Sequence, residues 1–82
     1  MNTIKVYGSG CPNCIKLEQL SREAVEETGL DFSIEKVTDF EAIAKRGIMR
    51  TPGLEINGNI VSTGKIPTKA TLVHWIRDIV NA

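Results

Sequence analysis

Residues 8–14 read Gly8-Ser9-Gly10-Cys11-Pro12-Asn13-Cys14 and separate a short β-prone run from a long amphipathic one. Upstream, residues 3–7 alternate Ile4 and Val6 with Thr3, Lys5 and Tyr7, the period of a strand. The glycines break that strand, and Pro12 suits the first position of a helix, where its missing N–H costs nothing. Downstream, Cys14, Leu17, Ala24, Val25 and Thr28, with Ile15 and Leu20 beside them, form a broad apolar stripe. Glu18 and Arg22 make a favourable i,i+4 pair on the wetter side, and Gly29 stops the helix. The chain's two cysteines are three positions apart. A bridge between them closes almost no loop, so it adds little stability through chain entropy and is better read as chemistry than as a staple.

Working outward, residues 32–37 predict a second strand. Thr38-Asp39-Phe40-Glu41 has the pattern of a capping box, with the Thr38 hydroxyl and Glu41 carboxylate meeting free amides. The short helix that it opens carries Phe40, Ile43 and Ala44 and ends at Gly47. Leu54-Glu55-Ile56 and Asn59-Ile60-Val61 flank Asn57-Gly58, a strong hairpin signal. Thr68 caps a last helix with Leu72, Val73, Ile76, Ile79 and Val80 on one face. The order is β-α-β-α-β-β-α. Its first half is a βαβ unit with parallel strands and a right-handed crossover. The economical solution is an α/β fold, one four-stranded mixed sheet with helices on both faces. Eighty-two residues fit one domain, residues 1–82.

Ten basic and ten acidic residues cancel. This balance gives no electrostatic case for nucleic acid, whose phosphates reward clustered Lys and Arg. No run of eighteen apolar residues is present, so no membrane span is expected. The first residues lack an apolar stretch followed by a small-residue cleavage site, which leads to an expected cytoplasmic location.

A Cys-x-x-Cys at a helix start has a specific logic. The first turn presents unpaired N–H groups and the positive end of the helix dipole, which stabilise a thiolate. Cys11 is therefore the expected nucleophile on a partner's disulfide, and Cys14, facing the apolar stripe, the resolving thiol. Pro12 rigidifies the turn, and Asn13 is polar without formal charge. Two other readings share the motif. One is a soft-metal (zinc or copper) carrier of the β-α-β-β-α-β class, which the helical signals at residues 38–47 and 72–80 oppose. The other is a redox switch that does not turn over. A structural zinc site normally takes four ligands, and His74, the only other strong candidate, reads as surface or packing. No metal or cofactor is expected.

Strand, Gly-Ser-Gly-Cys11-Pro-Asn-Cys14, helix, and Thr51-Pro52 before a hairpin together resemble the thioredoxin/glutaredoxin superfamily. More narrowly, the chain is similar to the small redox-active disulfide proteins of archaea and bacteria. The resemblance spans essentially the whole chain and implies a thioredoxin-like fold. It also implies a cis bond at Thr51-Pro52, packed beside the cysteines, with backbone that pairs with the incoming partner. Two departures stand out. Gly10 replaces the tryptophan that precedes the first cysteine in ordinary thioredoxins. Residues 62–68 lack the Gly-Gly and acidic segment with which glutaredoxins help to hold glutathione. The implied partners are disulfide-containing proteins and an electron-donating reductase, and the chain is expected to be a monomer. Tyr7, at the carboxyl end of the first strand, reads either as a lining of the partner groove or as a packed residue. Trp75 and Phe40 read as packing, Arg50 either as a contact for an acidic partner or as an ordinary exposed residue, while Lys5 and Lys36 tune the thiols only if they point towards them.

Overall fold

The computed structural model describes residues 2–8, 10 and 12–81. The elements follow the expected order: β1 (Asn2–Tyr7), α1 (Pro12–Thr28), β2 (Phe32–Val37), α2 (Phe40–Lys45), β3 (Gly53–Ile56), β4 (Asn59–Thr63) and α3 (Lys69–Asn81). The sheet runs β2-β1-β3-β4, with β1 parallel to β2 and the other two pairs antiparallel.

Strand parity divides the residues between two layers. Ile4, Val6, Leu54 and Ile56 turn to one face and meet Leu17 and Ala24 of α1 and Leu72, Val73 and Ile76 of α3. Removing side chains of this size fully from water stabilises by roughly 1.5–3 kcal/mol each. Tyr7 turns to the other face and joins Ile43, Ile48 and Val37 beneath α2. Helices thus cover both faces, α1 and α3 the broader one.

Local signals explain the element ends. Pro12 is the first residue of α1 and Gly29 follows it at φ +69°. Ser21, absent from the expected stripe, is wholly buried because its hydroxyl donates to the Leu17 carbonyl at 2.8 Å. Ile15, counted in that stripe, is 57% exposed. Asn57 and Gly58 both have positive φ, 49° and 87°, as a type I′ hairpin turn requires. The Asn57 side chain also accepts from Thr3 N–H at 2.8 Å, tying the turn to β1. Across the hairpin the register slips by one residue between Leu54 and Glu55, a bulge in an otherwise regular pair.

Three expectations need correction. The cap of α2 is Asp39, whose carboxylate accepts from Ala42 N–H at 3.3 Å, rather than Thr38. Phe40 is 75% exposed and Ala44 is exposed, since a six-residue helix buries only Ile43. The helix ends in a Schellman turn, Gly47 N–H to Ala44 C=O and Ile48 N–H to Ile43 C=O, which brings Ile48 under the sheet in place of Phe40. Val80 likewise faces solvent at the end of α3. Thr68 caps α3 as expected, accepting from Thr71 N–H at 3.2 Å. In urea denaturation Asp39→Ala should cost about 1 kcal/mol and Thr38→Ala only a few tenths. The reverse order would return the cap to Thr38.

Candidate active site

The carboxyl ends of β1 and β2, the start of α1 and the start of β3 meet at one pole of the sheet. Cys14, in the first turn of α1, is buried there. Its Sγ lies so close to the Gly8 main chain that a Cβ on Gly8 would overlap it. Gly8 is anchored where it is, because its N–H donates to the Val37 carbonyl at 2.9 Å. Thr51 Cβ lies 3.8 Å from the same point, so β1, α1 and the loop before β3 converge on the Cys14 sulfur.

The Thr51-Pro52 peptide bond is cis, as the resemblance implied. Pro52 is buried and Thr51 exposed. The Pro52 carbonyl accepts from Gly64 N–H at 2.9 Å, which ties this loop to the end of β4. The Arg50 side chain lies across Gly64. Pro12 and Asn13 are exposed on the first turn of α1. Gly10 is exposed at φ +85°, a left-handed conformation that side chains rarely adopt. The absence of a tryptophan at this position therefore has a backbone reason in this chain. Cys11 falls outside the described residues, so the expectation for it stands on sequence.

A small pocket of about 50 Å³ opens over the Cys14 side of this pole, lined by Val6, Gly8, Gly10, Cys14, Ile15, Lys36 and Thr38. Lys36 thus reaches the cysteine region. Its ammonium lies 3.5 Å from Glu18 Oε1, and Glu18 also receives Arg22 at 2.8 Å. The Arg22 hydrogen bond, aided by Lys36, holds the Glu18 carboxyl below its ordinary value against the opposing effect of burial. Lys5 does not share the site. It pairs in register with Glu35 and Glu55 and lines a groove on the other face of the sheet.

That other face holds a buried polar cluster that the alternation did not reveal. Glu55 is only 5% exposed. Its Oε1 accepts from Tyr7 Oη at 2.8 Å and from Arg46 Nε at 2.7 Å, and Arg46 also donates to the Gly58 carbonyl at 2.7 Å. Burial pushes the Glu55 carboxyl up, but the hydrogen bonds from Arg46 and Tyr7 and the charges of Arg46 and Lys5 outweigh it and leave it below the usual range. Tyr7 is shifted up, first by burial and then by Glu55. The cluster joins β1, β3, the hairpin turn and the chain following α2, and so supports the site from beneath. Tyr7 is a packed residue, and Trp75 packs against the main core. His74 is exposed on α3 and meets Asp78 at 3.1 Å.

Gly8, Lys36 and the Glu55 cluster are the residues that sequence reasoning missed or could not place. For Gly8 no local signal separates a packing glycine from a strand-ending one. For Glu55 the only hint was a carboxylate between two core positions.

Comparison with known proteins agrees with this geometry. A family model described as a thioredoxin domain matches residues 2–77. A thioredoxin of Methanothermobacter thermautotrophicus is 39% identical over 69 residues, covering 84% of this chain and 90% of the relative. A thioredoxin of Methanocaldococcus jannaschii is 43% identical over 68 residues, covering 83% of this chain and 78% of that one. Among solved structures, the J-Trx1 fragment of ERdj5 superposes with a TM-score of 0.69 at 20% identity, over 99% of this chain and 44% of that one, a likeness of fold. With the buried Cys14 beside a cis-proline loop and these relatives spanning most of its length, the chain belongs to the thioredoxin family of thiol–disulfide oxidoreductases.

Proposed function

We propose that the chain reduces disulfide bonds in proteins through Cys11 and Cys14. The observation that carries this reading is the packing of Cys14 Sγ against Gly8, beside Thr51 and cis-Pro52. Cys11 directly precedes the first residue of α1, where unpaired N–H groups and the helix dipole favour a thiolate. That thiolate attacks one sulfur of the partner's disulfide. The S–S bond breaks, the other partner sulfur leaves as a thiolate and takes a proton, and the attacked sulfur is held by Cys11 in a mixed disulfide. Cys14, deprotonated, attacks the Cys11 sulfur and expels the partner sulfur held there as a thiolate. In sum two electrons and two protons pass from the dithiol to the partner, leaving a Cys11–Cys14 disulfide. An external reductase returns the pair to the dithiol.

Pro52 has no N–H and its carbonyl already accepts from Gly64, so we assign the backbone pairing with an extended partner to Thr51. Ile15 beside Cys14, Phe40 at the head of α2 and Met49, 96% exposed in the loop leading to Thr51, give this pole apolar surface suited to a protein partner. The direction we assign is reduction in the cytoplasm, where the thiol pool keeps such dithiols reduced.

The test is a redox equilibrium titration of metal-free protein in dithiothreitol or glutathione buffers, with thiols counted by mass spectrometry. The expected result is a two-electron transition joining Cys11 to Cys14 at about −300 to −120 mV. No bridge, together with tight zinc or copper(I) binding by the reduced chain, would replace this reading with that of a metal carrier. A bridge that forms without catalytic turnover would make the chain a redox switch.

A further inference from the structure

We infer that Gly8 is a positioning residue for Cys14, and that the absence of a side chain at position 8 selects the rotamer in which Cys14 resolves the mixed disulfide. The inference rests on the dithiol reading above and deepens it.

Two kinds of glycine stand in this chain. Gly10, Gly29, Gly47, Gly58 and Gly64 have positive φ and, except at Gly64, nothing within 4 Å of an added Cβ. Gly8 is the opposite case. It is not among the positive-φ glycines, so no left-handed φ calls for glycine there, but the space in front of it is filled. A Cβ there would overlap Cys14 Sγ and stand 3.2 Å from Cys14 Cβ. The Gly8 backbone has little room to retreat, since its N–H is bound to Val37 at the end of β2. Tyr7, just before it, is held by Glu55 on the other face.

The strain therefore falls on Cys14, whose side chain has one torsion. Its χ1 has three staggered wells, and the occupied one places the sulfur in the space before Gly8. An added methyl at position 8 closes the occupied well and turns the sulfur to another, away from Gly8. Gly53 provides a comparison. It too is filled rather than left-handed, but its added Cβ would meet Ile48 Cδ1 at 2.9 Å, in the core under α2 and away from Cys14.

The experiment compares Gly8→Ala with Gly53→Ala, each also in a Cys14→Ala background. Gly8→Ala should shift the equilibrium of the pair with dithiothreitol tenfold or more toward the dithiol, equivalent to about 30 mV. It should also raise the rate of Cys14 alkylation by iodoacetamide severalfold. Gly53→Ala should lower Tm and leave both readouts at the wild-type value. In the Cys14→Ala chain, where no Sγ remains, the loss of Tm caused by Gly8→Ala should largely vanish, whereas that of Gly53→Ala should persist. A Gly8→Ala chain with the wild-type equilibrium and Cys14 reactivity overturns the inference. So does a Tm loss unchanged by removing the sulfur, a measurement that needs no redox chemistry. If the wild-type chain forms no bridge, the dithiol reading itself fails and the positioning role of Gly8 with it.

Discussion

Cys14→Ser should halt the protein midway through its reaction, with a partner covalently held on Cys11. Steady-state reduction of a protein disulfide is expected to fall about 10³-fold or more, the scale on which removal of one member of a catalytic unit acts. The physical reason is the division of labour between the sulfurs. In the proposed reaction, attack on the partner needs only the Cys11 thiolate, whereas release needs a second sulfur, that of the buried Cys14. Serine keeps the size and the polarity but is not a nucleophile toward a disulfide at neutral pH. Non-reducing gels and intact-mass spectra should show a stoichiometric adduct with a model disulfide protein, dissolved by dithiothreitol. Cys11→Ser should form no adduct. If Cys14→Ser turns over at the wild-type rate, resolution comes from elsewhere and the assigned roles are wrong.

The second large effect concerns stability. Glu55→Ala should cost about 2–3 kcal/mol at pH 7, because Tyr7 loses its acceptor inside the protein and a buried cavity replaces the carboxylate. A buried pair broken on one side costs up to about 5 kcal/mol, but Arg46 is partly exposed and regains water, which keeps the figure lower. The pH dependence follows from the direction of the shifts. Glu55 titrates below its unfolded value of about 4.3. Its contribution is complete above that value and is lost as the pH falls through the folded-state value. Tyr7 titrates above its ordinary value. Its contribution is complete below about pH 10 and is lost as the pH rises through the folded-state value. Urea denaturation of wild type and Glu55→Gln between pH 7 and pH 3 should therefore show two stability curves that converge in acid. Parallel curves would mean that Glu55 is not held in its charged form by the fold.

How much of this was legible beforehand depended on the range of the physics involved. Pro12, Gly29, Asn57-Gly58 and Thr68 mark element ends through interactions spanning a few residues, and each reads correctly from the chain alone. At the head of α2, Thr38 and Asp39 are two competent caps side by side, and local rules do not choose between them. The choice follows from the docking of Ile43 and Ile48 against Tyr7 and Val37, contacts between segments far apart in sequence. The same docking explains Phe40. Its spacing with Ile43 and Ala44 describes a helix face, but a helix of six residues is too short to bury that whole face.

At the site, the proposed chemistry was legible in the chain: two cysteines three positions apart, a proline before a hairpin, and a resemblance that joined them. Such motifs are legible because the spacing of a few residues decides what their atoms can reach. Which neighbours stand beside Cys14 depends instead on contacts between segments distant in sequence. Gly8 stands six residues before Cys14, and nothing local says that its missing Cβ makes room for a sulfur. Lys36 reaches the cysteine pocket, while Lys5, equally eligible in sequence, faces the other side of the sheet and serves Glu55. That difference comes from strand pairing, which sets the parity of each side chain once β1 has β2 on one edge and β3 on the other.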